Sequence, residues 1–193
     1  MKVALLTDTH FGARGDSLIF FDYFMKFYNE VFLPTLEERE IDTIIHLGDV
    51  FDRRKFINFN ILDRVKDQLF DEFRIRDIDM HVIVGNHDTY YKNTNEVNSV
   101  SLLLNDYDNI TVYPEPCTIE LDGSKILMLP WINPENYDET IEEINNTESL
   151  IALGHLELSG FKMSPGVVNE HGLSKSLVMI SAGLIFPCPV IAI

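Results

Sequence analysis

Thr43-Ile44-Ile45-His46-Leu47-Gly48-Asp49-Val50-Phe51-Asp52 is the stretch that decides the fold. An apolar run ends at a glycine and gives way at once to two carboxylates, Asp49 and Asp52. The same succession occurs twice more. Val3–Leu6 runs into Asp8-Thr9-His10, and Val82–Val84 runs into Gly85-Asn86-His87-Asp88. Strand-like runs of this kind, separated by helical segments, imply a parallel α/β sheet. In such a sheet the functional groups gather just beyond the carboxyl ends of the strands. Carboxylate, imidazole and amide groups delivered together to one edge suit a site for two divalent cations.

Working outward, the first strand is expected over residues 2–7 and the second over 42–47. Asp16 or Ser17 is placed to cap a helix running to about Arg39, with Pro34 kinking it or ending it early. A second helix is expected over about 58–73, where Ile61, Leu62, Val65, Leu69 and Phe73 share a face. A strand at 81–84 and a helix around 96–104 follow. The pattern then changes to short strands at 111–112, 117–121 and 125–129, with Asp122-Gly123 as a hairpin turn. A helix over 137–145 and a strand over 150–153, leading into Gly154-His155, complete the series. Residue patterning alone gives one domain of alternating α/β units with a hairpin insertion.

With 193 residues the chain has room for one sizeable core, and 46% hydrophobic against 24% charged residues is a globular balance. Fifteen basic and 31 acidic residues give a net charge of −16. That argues against a large basic footprint for nucleic acid, although bound cations or a basic partner would offset it locally. Cys117 and Cys188 form neither metal-type spacing nor a disulfide framework, so a reducing cytoplasm is the expected compartment.

A site of Asp, His and Asn donors without cysteine favours Mn²⁺, Fe²⁺ or Zn²⁺ over copper. The strand tips bring Asp8, His10, Asp49, Asn86 and His155 to one edge. Asp49 is the residue expected to bridge two cations roughly 3.5–4 Å apart. His87, next to Asn86, is placed to contact a phosphate or protonate a leaving oxygen, with Asp88 orienting its imidazole. His46 and His81 lie inside strands and read as core or sheet-surface residues. Arg53-Arg54-Lys55 should border the metals, as phosphate contacts or as a solvated loop. Tyr90 and Tyr91 read as base-stacking groups or as packing that steadies the loop. The phenylalanine-rich stretch 20–32 reads as core or as a dimer surface.

These motifs resemble the calcineurin-like metallophosphoesterase superfamily, whose signature runs D-x-H, G-D-x-x-D, G-N-H-[DE], a later His, and G-H-x-H. Within it the first two motifs are most similar to those of the SbcD-type DNA repair nucleases, which include recombination endonuclease subunits of large tailed phages. The resemblance covers about residues 1–175. It implies a sandwich of mixed sheets flanked by helices, and a manganese-dependent nuclease that degrades duplex DNA from its ends and cuts single strands. It also implies an SMC-like coiled-coil ATPase as partner, allows a homodimer, and places the protein in the cytoplasm, that of the host cell if phage-encoded. By this resemblance Asp8, His10 and Asp49 match the ligands of one metal and Asp49, Asn86 and His155 those of the other. His87 matches the catalytic histidine, with Asp88 beside it. Asp52 falls at a position that usually supports the ligands.

The closing G-H-x-H has no counterpart. Only His171 follows His155, in Asn169-Glu170-His171-Gly172, and it reads as a loop histidine. Residues 176–193 contain no charged side chain. With Pro187 and Pro189 they read as the product of a frameshift, a split gene or a read-through intron rather than as a membrane anchor. The expected organisation is therefore an incomplete metallophosphoesterase domain over 1–175 and an aberrant tail. Two other functions compete with the nuclease: a phosphatase or small phosphodiesterase on the same scaffold, and a non-catalytic fragment. Asp88 stands where protein-phosphatase relatives usually carry Glu, which tilts against the phosphatase.

Overall fold

Four strands, β1 (Ala4–Leu6), β2 (Thr43–His46), β3 (Asp79–Ile83) and β4 (Ile110–Tyr113), form a wholly parallel sheet in the order β1-β2-β3-β4. The computed structural model describes residues 2–159 and the backbone of 162–164 and 167–168. Register is set by pairs such as Leu6 with His46 and His46 with Val82. Because both faces of this sheet are covered, its strands are apolar almost throughout. Ala4, Leu6, Ile44, Met80 and Val82 enter the core on the helical side. Ile45 and Ile83 belong to a second core with Ile126 and Met128.

That second core explains the hairpin. β5 (Cys117–Leu121) and β6 (Ser124–Leu129) pair antiparallel, and β7 (Ile151–Gly154) joins β6 in parallel to make a three-stranded mixed sheet. The segment expected as an insertion thus supplies two of the three strands of a second sheet, laid against the first. Asp122 and Gly123, with φ of 49° and 76°, form the two-residue turn that the local sequence called for. On the outer face of this sheet α7 (Tyr137–Asn146) packs Ile141 and Ile144 over Leu127 and Leu129. The layers run helices, parallel sheet, mixed sheet, helix, as the family resemblance implied.

The helices on the other side carry one departure. A single irregular turn, α1 (Ala13–Asp16), leads into α2 (Leu18–Phe27), a π-helical turn at Tyr28–Phe32 and α3 (Leu33–Arg39). Ser17 caps α2, its hydroxyl accepting from the Phe20 N–H. Pro34 neither ends nor interrupts the helical run. Widening the preceding turn, where Leu33 N–H reaches back to Tyr28 O, eases the clash its ring would make in a regular helix. Thr35 Oγ1 donates to Val31 O at 2.6 Å and satisfies one of the loosened carbonyls. Phe21, Met25, Tyr28 and Phe32 enter the core, so that face of the phenylalanine-rich stretch is packing. α4 (Phe59–Val65), a second π turn (Lys66–Phe70) and α5 (Asp71–Ile75) follow the same plan, capped by Asn58. The remaining elements are α6 (Ser99–Leu103), β8 (Lys162–Ser164) and β9 (Val167–Val168). His171 and residues 176–193 lie outside the described residues. Among the described residues no helix is long and apolar enough to cross a membrane.

Candidate metal centre

Beyond β1 and β2 the chain keeps pairing as it turns. Asp8 N–H donates to Gly48 O (3.1 Å), His10 N–H to Asp49 O (3.0 Å) and Phe11 N–H to Val50 O (2.9 Å). Within this frame Asp8, His10 and Asp49 take left-handed backbone angles, with φ of 52°, 43° and 57°. Each costs about 1–3 kcal/mol, and such strain collects where a side chain must be aimed. Two glycines let the loops close. A Cβ on Gly48 would lie 2.8 Å from Gly85 Cα, and one on Gly85 would lie 2.3 Å from both Asp49 N and Asp49 Oδ1. Bare backbone therefore meets bare backbone, and the Asp49 carboxylate lies against it.

Two sets of donor atoms result, each lying within 4.8 Å of one another: His10, Asp49 and His87, and Asp8, Asp49 and His155. Asp49 is common to both and is 3% exposed, so its charge faces the cluster rather than water. His10 Nε2 is 3.5 Å from Asp8 Oδ1 and 3.7 Å from Asp49 Oδ2. The hydrogen bond to Asp8 is the main cause raising the His10 pKa. Burial pushes the Asp8 carboxyl up, but hydrogen bonds from His10 and Thr7 outweigh it and bring the pKa to about 2. The His10 and His87 rings meet edge to face, centroids 4.8 Å apart.

His155 tests whether these residues fit a cation. Its Nδ1–H donates to Leu47 O at 2.8 Å, which fixes the tautomer and leaves Nε2 a lone pair. That lone pair points at Asn86 Oδ1 (2.9 Å) and Asp49 Oδ2 (3.5 Å). Nε2, Asn86 Oδ1 and Asp49 Oδ2 thus converge, and a cation between them would take all three as ligands. One imidazole nitrogen and two oxygens suit a borderline-hard divalent ion. The donor set fits.

Asp88 takes a different place from the one expected. Fully buried, it accepts from Asp49 N–H (2.8 Å) and Gly85 N–H (2.9 Å) through Oδ2, and from Phe51 N–H (3.2 Å) through Oδ1. Burial raises its pKa to about 6. It clamps the two ligand loops by their backbones and does not touch the His87 imidazole. The backbone carbonyl of Asp52 orients that ring, accepting from Nδ1–H at 2.5 Å and leaving Nε2 outside that bond. His87 N–H in turn donates to Asp49 Oδ1 at 2.7 Å. His46, a core residue as expected, accepts from Gly48 N–H at Nδ1 (3.2 Å). Its Nε2–H then donates to Thr9 Oγ1 (3.0 Å), whose own proton goes to Val50 O (3.1 Å).

The basic run does not act as one group. Arg53 is ion-paired with Asp16. Arg54 Nη1 donates to Thr89 Oγ1 (2.8 Å) and Tyr91 O (3.2 Å), and its guanidinium lies 5.0 Å from the Trp131 ring centroid. Arg54 is therefore a brace between three loops, rather than a residue of a solvated loop. Lys55 sits over Tyr90, 4.8 Å from its ring centroid. Sequence reasoning missed the brace and the Thr9–His46 relay. Thr9 between two candidate ligands was the one available hint, while nothing local to Arg54 names Thr89 or Trp131 as its partners.

The chain belongs to the calcineurin-like phosphoesterase family, whose description matches residues 1–178. More particularly, it is 34% identical over 178 residues to a phage protein, "Exonuclease subunit 1" of Enterobacteria phage T4. The match takes in 90% of this chain and 50% of that protein, so the chain spans about half the length of this curated relative. Two solved structures also align, each at 20% identity. A protein of unknown function from Aquifex aeolicus gives a TM-score of 0.43, covering 78% of this chain and 75% of its own. The nuclease MPE of Pseudomonas putida gives 0.48, covering 86% and 66%. The family assignment rests on the sequence matches.

Proposed function

We propose that this chain supplies the metal-binding part of a nuclease subunit that hydrolyses DNA phosphodiester bonds in recombination and double-strand-break repair. The observation that carries the reading is the pair of donor sets sharing Asp49. Asp8, His10, Asp49, Asn86 and His155 would hold two divalent cations; the donors suit Mn²⁺, Fe²⁺ or Zn²⁺, and the family resemblance makes Mn²⁺ the one proposed. When bound, such a pair supplies a water acidified toward neutrality and positive charge for the phosphoryl oxygens. The chain's own residues do the rest. His87 has Nδ1 committed to the Asp52 carbonyl, so Nε2 is the atom that meets the phosphate or hands a proton to the leaving oxygen. Asp88 and Gly85 hold the backbone that aims Asp49. Lys55, on the rim, contacts the DNA backbone. The phage relative is a subunit by name, which supports a partner for this chain, and the family resemblance makes an SMC-like coiled-coil ATPase the partner proposed.

The test pairs hydrolysis with metal counting. Full-length chain loaded with Mn²⁺ is offered linear duplex DNA and p-nitrophenyl phosphate esters in parallel. Turnover of DNA with two bound Mn²⁺ per chain is the expected result. Ester turnover without DNA turnover would assign a phosphatase or small phosphodiesterase, and fewer than two bound ions with no turnover a non-catalytic fragment.

A further inference from the structure

Tyr90 and Tyr91 follow Asn86-His87-Asp88 directly, yet they are 40% and 50% exposed. Rings present only to steady a loop would be buried. This loop is already secured by other groups. Tyr90 N–H donates to Val97 O (2.9 Å), and Asn95 Nδ2 donates to Pro114 O (2.9 Å) and Trp131 O (3.0 Å). Arg54 holds the Tyr91 carbonyl from the opposite side (3.2 Å). The two phenol rings meet edge to face with centroids 4.8 Å apart, and the Lys55 ammonium lies over the Tyr90 ring at 4.8 Å. A hydrogen-bonded backbone thus holds two exposed aromatic rings and a cation close in sequence to the candidate metal centre. One arm of this ledge is three residues from His87 and the other three residues from Asp52, whose carbonyl orients His87.

Resting on the nuclease reading, we propose that this ledge is a subsite for an unpaired nucleobase next to the phosphate to be cut. The base stacks on Tyr90 or Tyr91 while Lys55 meets the adjoining phosphate. Aromatic side chains stack any base and so confer no sequence preference. A base inside a duplex already has both faces covered, whereas a frayed end or a single strand has a face to offer. The subsite therefore favours single-stranded or frayed DNA over closed duplex.

The experiment compares two single-stranded oligonucleotides of equal length and charge, one of thymidines and one of abasic residues. Each is bound to the full-length chain in Ca²⁺ to suppress cleavage. The wild-type chain is expected to prefer the thymidine strand by roughly 5- to 150-fold, the range for one stacked base. A Tyr90→Phe/Tyr91→Phe chain should keep that preference, and a Tyr90→Ala/Tyr91→Ala chain should lose most of it. Equal binding of both strands by the wild-type chain, or preference retained by the alanine pair, overturns the subsite and leaves the nuclease reading standing. Failure of the wild-type chain to bind either strand overturns both.

Discussion

His46 sets up a sharp test of how the two ligand loops are joined. Its imidazole is fully buried, and burial lowers its pKa from the ordinary 6.5 to about 3. The relay explains why the proton is unwelcome: Nδ1 already faces the Gly48 N–H, so an added hydrogen there meets a donor. A folded-state pKa below the unfolded one gives stability that is intact above about pH 6.5 and is lost as pH falls toward 3. At about pH 4.5 the unfolded chain has taken up the proton and the folded chain has not, across two pH units. At ~1.36 kcal/mol per unit the loss is ~2.7 kcal/mol. His46→Asn keeps an acceptor near Gly48 and cannot titrate, so it lacks this slope. Asp88 works in the opposite sense: its folded pKa of about 6 lies above its ordinary 3.8, so its contribution is present at low pH and lost as pH rises through 6. Asp88 is present in both proteins, and the difference between them isolates His46. Urea unfolding in EDTA at several pH values from about 7.5 to 4.5 measures it. The wild-type chain should lose ~2.7 kcal/mol more than His46→Asn over that span. Parallel stability curves would refute both the buried neutral imidazole and the relay built on it.

Gly85→Ala drives a methyl group to 2.3 Å from Asp49 N and Oδ1, so Mn²⁺ affinity measured by titration calorimetry should fall at least ~10-fold, with a lower melting temperature. Asp88→Asn puts an NH₂ group where backbone N–H groups now donate; equilibrium unfolding should show a loss of about 1–3 kcal/mol, and Mn²⁺ should bind more weakly. His87→Asn should cut DNA turnover by roughly 10²- to 10⁴-fold while changing Mn²⁺ affinity by less than about threefold; a large loss of affinity would make His87 a ligand instead, a role its place in one donor set also permits.

Much of this architecture was readable because strands and helices write their own periods into the chain. The runs ending at Leu47 and Val84, the helix start near Asn58 and the Asp122-Gly123 turn each depend on neighbours in sequence, and each lies where local chemistry puts it. The ligand types were readable for the same reason, since a carboxylate just past a strand advertises itself. What stayed hidden depends on partners far along the chain. Arg54 reads as a free cation until Thr89 and Trp131 arrive from other loops. Asp88 reads as an acid beside a histidine until three backbone N–H groups claim it. The π turns leave no compositional trace, because widening a helix by one residue changes phase rather than propensity. The hairpin's membership in a second sheet depends on Ile126 and Met128 meeting Ile45 and Ile83, a contact between distant segments.

A single oxygen, Asp49 Oδ2, faces both His10 Nε2 (3.7 Å) and His155 Nε2 (3.5 Å). Under the two-cation proposal, the halves of the centre are then not separate equivalents. Charge drawn toward one half is charge withheld from the other, and the effect is reciprocal: whatever factor the first occupant imposes on the second, the second imposes on the first. A substitution at His155 should consequently be felt at His10, across a carboxylate that neither histidine owns. Loading would follow a stepwise curve with linked constants, and at limiting cation the half-filled centre would be a species with a population and chemistry of its own.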